Sequence, residues 1–105
     1  MTAALPSLQF EPGPNFHIRL YHSREPMTDL AEESVRRNGR AYTPLFNRIL
    51  AVPGVMGIIG RPYLCYLEKS PMFSWDEVHF EMEALFGAKI VPMFPDPKES
   101  NEKPN

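Results

Sequence analysis

The feature that most constrains the fold is the stretch LFNRILAVPGVMGIIGRPYLCYLE, residues 45–68, because it contains helix and strand signals in immediate succession. Thr43 is a typical N-cap, and Pro44 suits the first helical position, where its missing N–H costs nothing. Pro53 and Gly54 predict an abrupt end to this helix. The runs VMGII and YLCYLEK that follow are rich in β-forming residues and flank a Gly-Arg-Pro turn, so we expect two antiparallel strands there.

A second helix has the clearest signals in the chain. Ser74 and Glu77 form an S-x-x-E capping box at its start, and Gly87 is a typical residue just beyond its end. Five large apolar residues follow helical spacing and are expected to share one buried face: Trp75, Val78, Met82, Leu85 and Phe86. The neighbouring acidic residues are expected to face water.

The N-terminal part of the chain alternates between apolar and polar residues. Leu8 and Phe10 precede a Pro-Gly-Pro turn, and Phe16, Ile18 and Leu20 follow it with a period of two. This pattern predicts a hairpin whose strands are half-buried. Together with the central hairpin and the two helices, it predicts an α+β fold in which a small antiparallel sheet, made of the two hairpins, is covered by two helices.

The boundaries of the domain follow from composition. Residues 1–7 are expected to form an N-terminal extension, residues 8–94 a single domain, and residues 95–105 a disordered polar tail. The charged segment 28–42 has a thin apolar stripe and is predicted to be either a flexible loop or a short helix. The run AKIVPMF is compatible with a short strand, which Pro92 would confine to a sheet edge.

The overall charge and composition disfavour several classes of partner. The 105-residue chain has a net charge of -2, which provides no basic field for nucleic acid or an anionic membrane. No apolar run approaches the roughly 20 residues that span a bilayer. A single cysteine and an N-terminus without targeting features suit the reducing cytoplasm, so we expect a cytoplasmic protein.

The residue pattern does not predict an active site. One cysteine and three histidines, without C-x-x-C or H-x-x-x-H spacing, do not make a complete metal site within one chain. We interpret Cys65 as a small apolar residue in a strand, and as a metal ligand only if a site is shared between two chains. No nucleophile, base and orienting group can be assigned together, so we expect no catalytic residues and no enzyme activity.

Three segments of the chain resemble the N-terminal domain of Nfu/NifU-type iron–sulfur scaffold proteins. They are PGPNFHIRLYHSREPMT, TPLFNRILAVPGVMGIIGRPYLCYLEK and WDEVHFEMEALF, and their order along residues 8–87 is also similar to that of the family. The resemblance implies a small α+β domain associated with iron–sulfur cluster assembly or delivery. In full-length members of the family, a C-x-x-C motif in a separate C-terminal domain holds the cluster, and this chain has no such motif.

The resemblance therefore implies a non-catalytic accessory or protein-interaction domain. Its expected partners are proteins of iron–sulfur assembly or client apoproteins, with a cluster held only together with a partner. A homodimer is also compatible with the sequence. The alternative function is that of a ferredoxin-like module that senses small ligands or metals.

The candidate interaction surface combines the central hairpin turn with methionines, whose side chains adapt well to partner surfaces. We assign to it Arg61 and Pro62 in the turn, together with Met56 and Met72. Met27 is a further candidate on the same grounds.

Overall fold

The computed structural model describes residues 7–94 as an α+β domain. The predicted tail, and all but the last residue of the predicted N-terminal extension, lie outside the described residues. The elements, in chain order, are β1 (Leu8–Pro12), β2 (Ile18–Ser23), β3 (Glu33–Arg36), α1 (Pro44–Leu50), β4 (Val55–Gly60), β5 (Leu64–Lys69), α2 (Trp75–Phe86) and β6 (Val91–Pro92).

The strands form one six-stranded mixed sheet in the order β3-β4-β5-β2-β1-β6. The two predicted hairpins are confirmed, as β1 pairs with β2 and β4 pairs with β5, both antiparallel. The sheet is nevertheless larger than the predicted sheet of two hairpins. Antiparallel pairing of β2 with β5 joins the hairpins, while β3 and β6 extend the sheet at its two edges. The short β6 runs parallel to β1 and contains Pro92, as expected for an edge.

The segment 28–42 contains a strand, which corrects the prediction of a flexible loop or a short helix. Residues Glu33–Arg36 pair with β4, and Val35 packs against the core. The Glu33 carboxylate accepts hydrogen bonds from the backbone N–H groups of Tyr42 and Thr43. Pairing with a strand that lies about 20 residues further along the chain stabilises β3, and such a contact leaves no local periodicity in the sequence.

Both predicted helices are present, but they begin differently. The Ser74 hydroxyl accepts from the Glu77 N–H at 3.1 Å, and the Glu77 carboxylate accepts from the Ser74 N–H at 2.8 Å, which completes the capping box. Thr43 precedes α1 in an extended conformation without a side-chain capping bond, and its hydroxyl is instead hydrogen-bonded to that of Thr28 at 2.6 Å. Gly87 ends α2 with a φ of 68°. Neither helix in residues 7–94 is long and apolar enough to cross a bilayer.

The helices cover one face of the sheet, and the core lies between them. Its largest fully buried side chains include those of Tyr21, Phe46, Ile49, Leu67, Met82, Val55, Val78 and Cys65. On β2, the core side is occupied by Tyr21, whereas Ile18 and Leu20 lie on the other side and are half-buried. The predicted apolar alternation of β2 therefore exists, but it points away from the helices.

An added side chain at each of two glycines of β4 would point to a different side of the sheet, and only one of these sides has room for it. A Cβ added to Gly60 would lie 2.2 Å from ring carbons of Phe46, which is fully buried. A Cβ added to Gly57 would have its nearest neighbour at 3.5 Å, an ordinary van der Waals contact. Close packing of α1 on the sheet therefore requires glycine at position 60 but not at position 57.

We predict that Gly60→Ala lowers the free energy of unfolding by about 1 to 3 kcal/mol, because the added methyl group overpacks the core. Gly57→Ala is the matched control in the same strand. It should be neutral or stabilising by up to about 1 kcal/mol, since alanine reduces the conformational entropy of the unfolded chain. Urea unfolding followed by circular dichroism measures both changes, and equal losses in the two variants would contradict the Phe46–Gly60 packing.

Candidate functional site

The sheet face opposite the helices carries a set of large apolar side chains that are only partly buried. We call it the open face and define it by five residues on β2, β4 and β5: Ile18, Leu20, Ile59, Leu64 and Tyr66. Ile59 is 39% exposed, although β4 has a neighbouring strand on each side. Alternation along the strands places these residues opposite to the core residues of the same strands.

The strand register makes the open face continuous. Ile59 lies opposite Tyr66, and Tyr66 lies opposite Leu20, so one row of apolar side chains crosses three adjacent strands. Directly opposite residues in antiparallel strands have Cβ atoms about 5 Å apart, close enough for these side chains to contact one another. Ile18 and Leu64 extend the surface along the strands on either side of this row.

Charged and polar side chains flank the open face. Arg36 forms an ion pair with Glu68 at 2.9 Å, and Arg61 forms one with Glu32 at 3.0 Å. On the β1 side, the His22 Nε2 lies 2.5 Å from a carboxylate oxygen of Glu11. The first two pairs are well exposed, so they contribute little to stability. An apolar centre with a charged rim is typical of a protein-interaction surface.

A shallow depression lies over Gly57 on this face. Its volume is about 140 Å³, and its lining includes Ile18, Ile59 and Tyr66. Gly57 has no side chain between Arg36 and Glu68, which flank it on the neighbouring strands. The depression is therefore a notch in the sheet surface large enough to admit one side chain of a partner.

The residues predicted to form the interaction surface lie at two ends of the central hairpin. Arg61 is in the β4–β5 turn with half-buried Pro62, whereas Met72 is 84% exposed in the loop after β5. Half-buried Met56 lies at the start of β4, near the same end as Met72. The six residues of β5 separate the two ends by roughly 20 Å. Met27 is buried, which corrects its assignment to a partner surface.

Arg61 belongs to the open face rather than to the Met72 end. Its guanidinium carbon lies 5.9 Å from the centre of the Tyr66 ring, at the corner of the apolar row. Its Nε donates to the Glu32 carboxylate at 3.0 Å. The structure thus places one predicted surface residue, Arg61, next to an apolar patch that the sequence pattern did not assign to the interaction surface.

Cys65 lies in the core, as predicted for a packing residue. It is fully buried on β5 opposite Tyr21, and burial raises the pKa of its thiol to about 12. A thiol is a poor nucleophile and metal ligand in this state. Within residues 7–94, no group of three or more His, Cys, Asp or Glu residues is positioned to hold a metal ion.

A cluster of cations and aromatic rings, which the sequence patterns did not reveal, joins the N-terminal hairpin to α2. The Trp75 Nε1–H donates to the Phe16 carbonyl at 2.8 Å. Arg19 lies over the rings of Phe10 and Trp75, at 4.3 and 4.7 Å from their centres. Lys69 is only 3% exposed, and its ammonium lies 4.8 Å from the centre of the Phe16 ring. In the alternation of β5, Lys69 falls on the same side as the buried residues Cys65 and Leu67. This position in the sequence pattern could have predicted its burial.

Comparisons of the chain with protein-family models, with curated proteins and with solved structures found no match. The resemblance to the Nfu/NifU N-terminal domain therefore remains a prediction from the sequence. The geometry of the open face is the structural basis for inferring a function.

We predict that alkaline pH destabilises the fold through two buried groups. Burial raises the pKa of Cys65 from 9.0 to about 12 and that of Tyr21 from 10.0 to about 12. Well below pH 9, both groups stay protonated in the folded and unfolded chains. Above it, the unfolded chain releases protons that the folded chain retains, so the free energy of unfolding falls as the pH rises toward 12.

Urea unfolding between about pH 8 and 11 measures this effect. Cys65→Ala is the matched variant, and its loss of stability should begin about one pH unit later, because only Tyr21 then contributes. An identical pH profile for Cys65→Ala and the natural chain would contradict the role of the buried thiol.

Proposed function

We propose that this chain is a non-catalytic protein-interaction domain that acts in iron–sulfur cluster assembly or delivery. Its open face would bind an assembly protein or a client apoprotein. The observation that carries the binding role is the continuous apolar row Ile59–Tyr66–Leu20 on a sheet face opposite the helices. The assignment to iron–sulfur assembly comes from the sequence resemblance.

The shape of the open face favours a protein partner over a small molecule. Small-ligand pockets are usually concave and occupy about 300 to 1,000 Å³. The depression over Gly57 has a volume of only about 140 Å³, and all of its lining residues belong to strands of the sheet. A partner would place one side chain in the notch and cover the apolar row around it.

Arg61 supports this role through its position. Arginine and tyrosine are enriched among the residues that dominate binding energy at interfaces. Arg61 and Tyr66 lie next to each other at one corner of the open face, and Arg61 is already oriented by Glu32. A carboxylate of the partner could compete with Glu32 for the guanidinium, which adds charge selectivity to apolar contact.

In this proposal the partner provides the ligands of the cluster. Cys65 is buried between the sheet and the helices, so its sulfur can reach an iron atom only if the core opens. The domain would therefore orient or recruit a protein that holds the cluster, rather than hold it alone.

The open face can be tested with two substitutions and one control. We predict that Ile59→Lys, which puts a charge into the apolar row, and Gly57→Val, which fills the notch, each weaken binding to a purified iron–sulfur assembly protein or apo-client by about tenfold or more. Ala51→Lys adds the same charge at an exposed position after α1, outside the open face, and should change the affinity less than about twofold. Isothermal titration calorimetry measures all three. Absence of binding by the natural chain, or equal effects of the lysine variants, would contradict the proposal.

The assignment of the cluster to the partner has a separate test. After anaerobic reconstitution with iron and sulfide, the isolated chain should lack a stoichiometric cluster in its absorbance spectrum. A cluster that forms on the natural chain but is lost in Cys65→Ser would mean that this cysteine is a ligand, contrary to the proposal.

A further inference from the structure

A second groove lies on the helical side of the molecule, away from the open face. Its volume is about 380 Å³, and it runs between α2 and the turn that follows α1. We call it the acidic groove and define it by its lining residues: Pro53, Phe73, Asp76, Glu77, Phe80 and Glu81. Apolar and acidic side chains alone line it.

The apolar part of the acidic groove is held by the fold. Phe73 packs against Gly54, where an added Cβ would lie 2.8 Å from the Phe73 ring and 3.0 Å from Val78. Gly54 has a φ of 96°, so glycine is favoured at this position for its backbone conformation as well. Phe80 completes the apolar surface from α2 and is 68% exposed. A preformed groove with an exposed aromatic ring can accept an apolar side chain at little cost in ordering.

The carboxylates of the acidic groove are not neutralised by nearby cations. Elsewhere, Glu32 and Glu68 each form an ion pair with an arginine, and Glu11 and Glu83 each lie within hydrogen-bond distance of a histidine, whereas Glu25 and Asp29 also form no ion pair within residues 7–94. Asp76, Glu77 and Glu81 form no ion pair with any residue in the range 7–94. The chain as a whole has a net charge of only -2, so this groove concentrates negative charge around an apolar floor.

The acidic residues of the groove contribute only in part to the stability of α2, and the groove itself is not needed for it. Asp76 and Glu77 lie in the first turn of α2, where negative charge interacts favourably with the helix dipole. Glu81 lies beyond the first turn and makes no such contribution. Helix stability likewise does not require a phenylalanine at position 80 on the outer surface. Phe80 and the three acidic residues lie on the same side of α2. A ligand that is both cationic and apolar would complement this surface.

We propose that the acidic groove binds a cationic segment of a partner protein. One apolar side chain of that segment would lie against Phe73 and Phe80, and flanking lysine or arginine residues would face Asp76, Glu77 and Glu81. This site is independent of the open face, which lies on the opposite side of the sheet, so a partner can occupy both faces at once.

The test uses a short synthetic peptide in which lysine alternates with leucine and phenylalanine, titrated against the whole chain by calorimetry and by amide chemical-shift mapping. We expect saturable binding that weakens with added salt and shifts centred on residues 76–81. Phe80→Ala and Glu81→Lys should each weaken it by about tenfold. Both positions are exposed, so the melting temperature should remain close to that of the natural chain.

Matched controls separate this site from general charge attraction. Glu25→Lys makes the same change in net charge at an exposed loop position, and Tyr63→Ala removes an exposed ring at the far end of the central hairpin. Both should bind the peptide within about twofold of the natural chain. The same peptide with glutamate in place of lysine should not bind, and spermine, a cation without apolar side chains, should bind much more weakly.

The proposal is overturned if the peptide does not bind, if Glu25→Lys and Glu81→Lys have equal effects, or if spermine competes as well as the peptide does. It is also overturned if the shifts map to the open face. Ile59→Lys distinguishes the two sites, because it should weaken binding at the open face while leaving the peptide affinity unchanged.

Discussion

The antiparallel pairing of β2 with β5 is the interaction on which the rest of the structure depends. It joins two local hairpins into one sheet and sets Tyr21 directly opposite Cys65 beneath the helices. The same register sets Leu20 opposite Tyr66 on the other side. Because successive side chains of a strand alternate between faces, one pairing builds the core and the open face together.

Because the helices cover only one face of the sheet, the domain has two different exposed surfaces. The helices bury the core face, and α2 then presents the acidic groove on its outer side. The opposite face keeps an apolar row whose side chains remain partly exposed. One surface is apolar with charged side chains around it, and the other combines aromatic rings with carboxylates that form no ion pair within residues 7–94. Their chemistry suits two different contacts on one small domain.

The elements with local signals were predictable, whereas those stabilised by distant contacts were not. Gly87 and the capping box of Ser74 mark α2 in the sequence, and both make the expected contacts. The strand β3 has no comparable signal, because its hydrogen bonds come from β4. The sequence pattern also did not show which side of β2 faces the core. Its fully buried residue is Tyr21, while the more regular apolar alternation of Ile18 and Leu20 faces the other way.

The sequence by itself determined the two helices, the two hairpins and the burial of Cys65, since capping, proline and glycine signals and side-chain periodicity act over a few residues. Only the tertiary structure decided which side of each strand meets the helices. That choice depends on register between strands that are far apart in the chain, and a shift by one residue exchanges the two faces. It left apolar side chains of β2, β4 and β5 on the face without helices, and it brought Arg61 next to Tyr66.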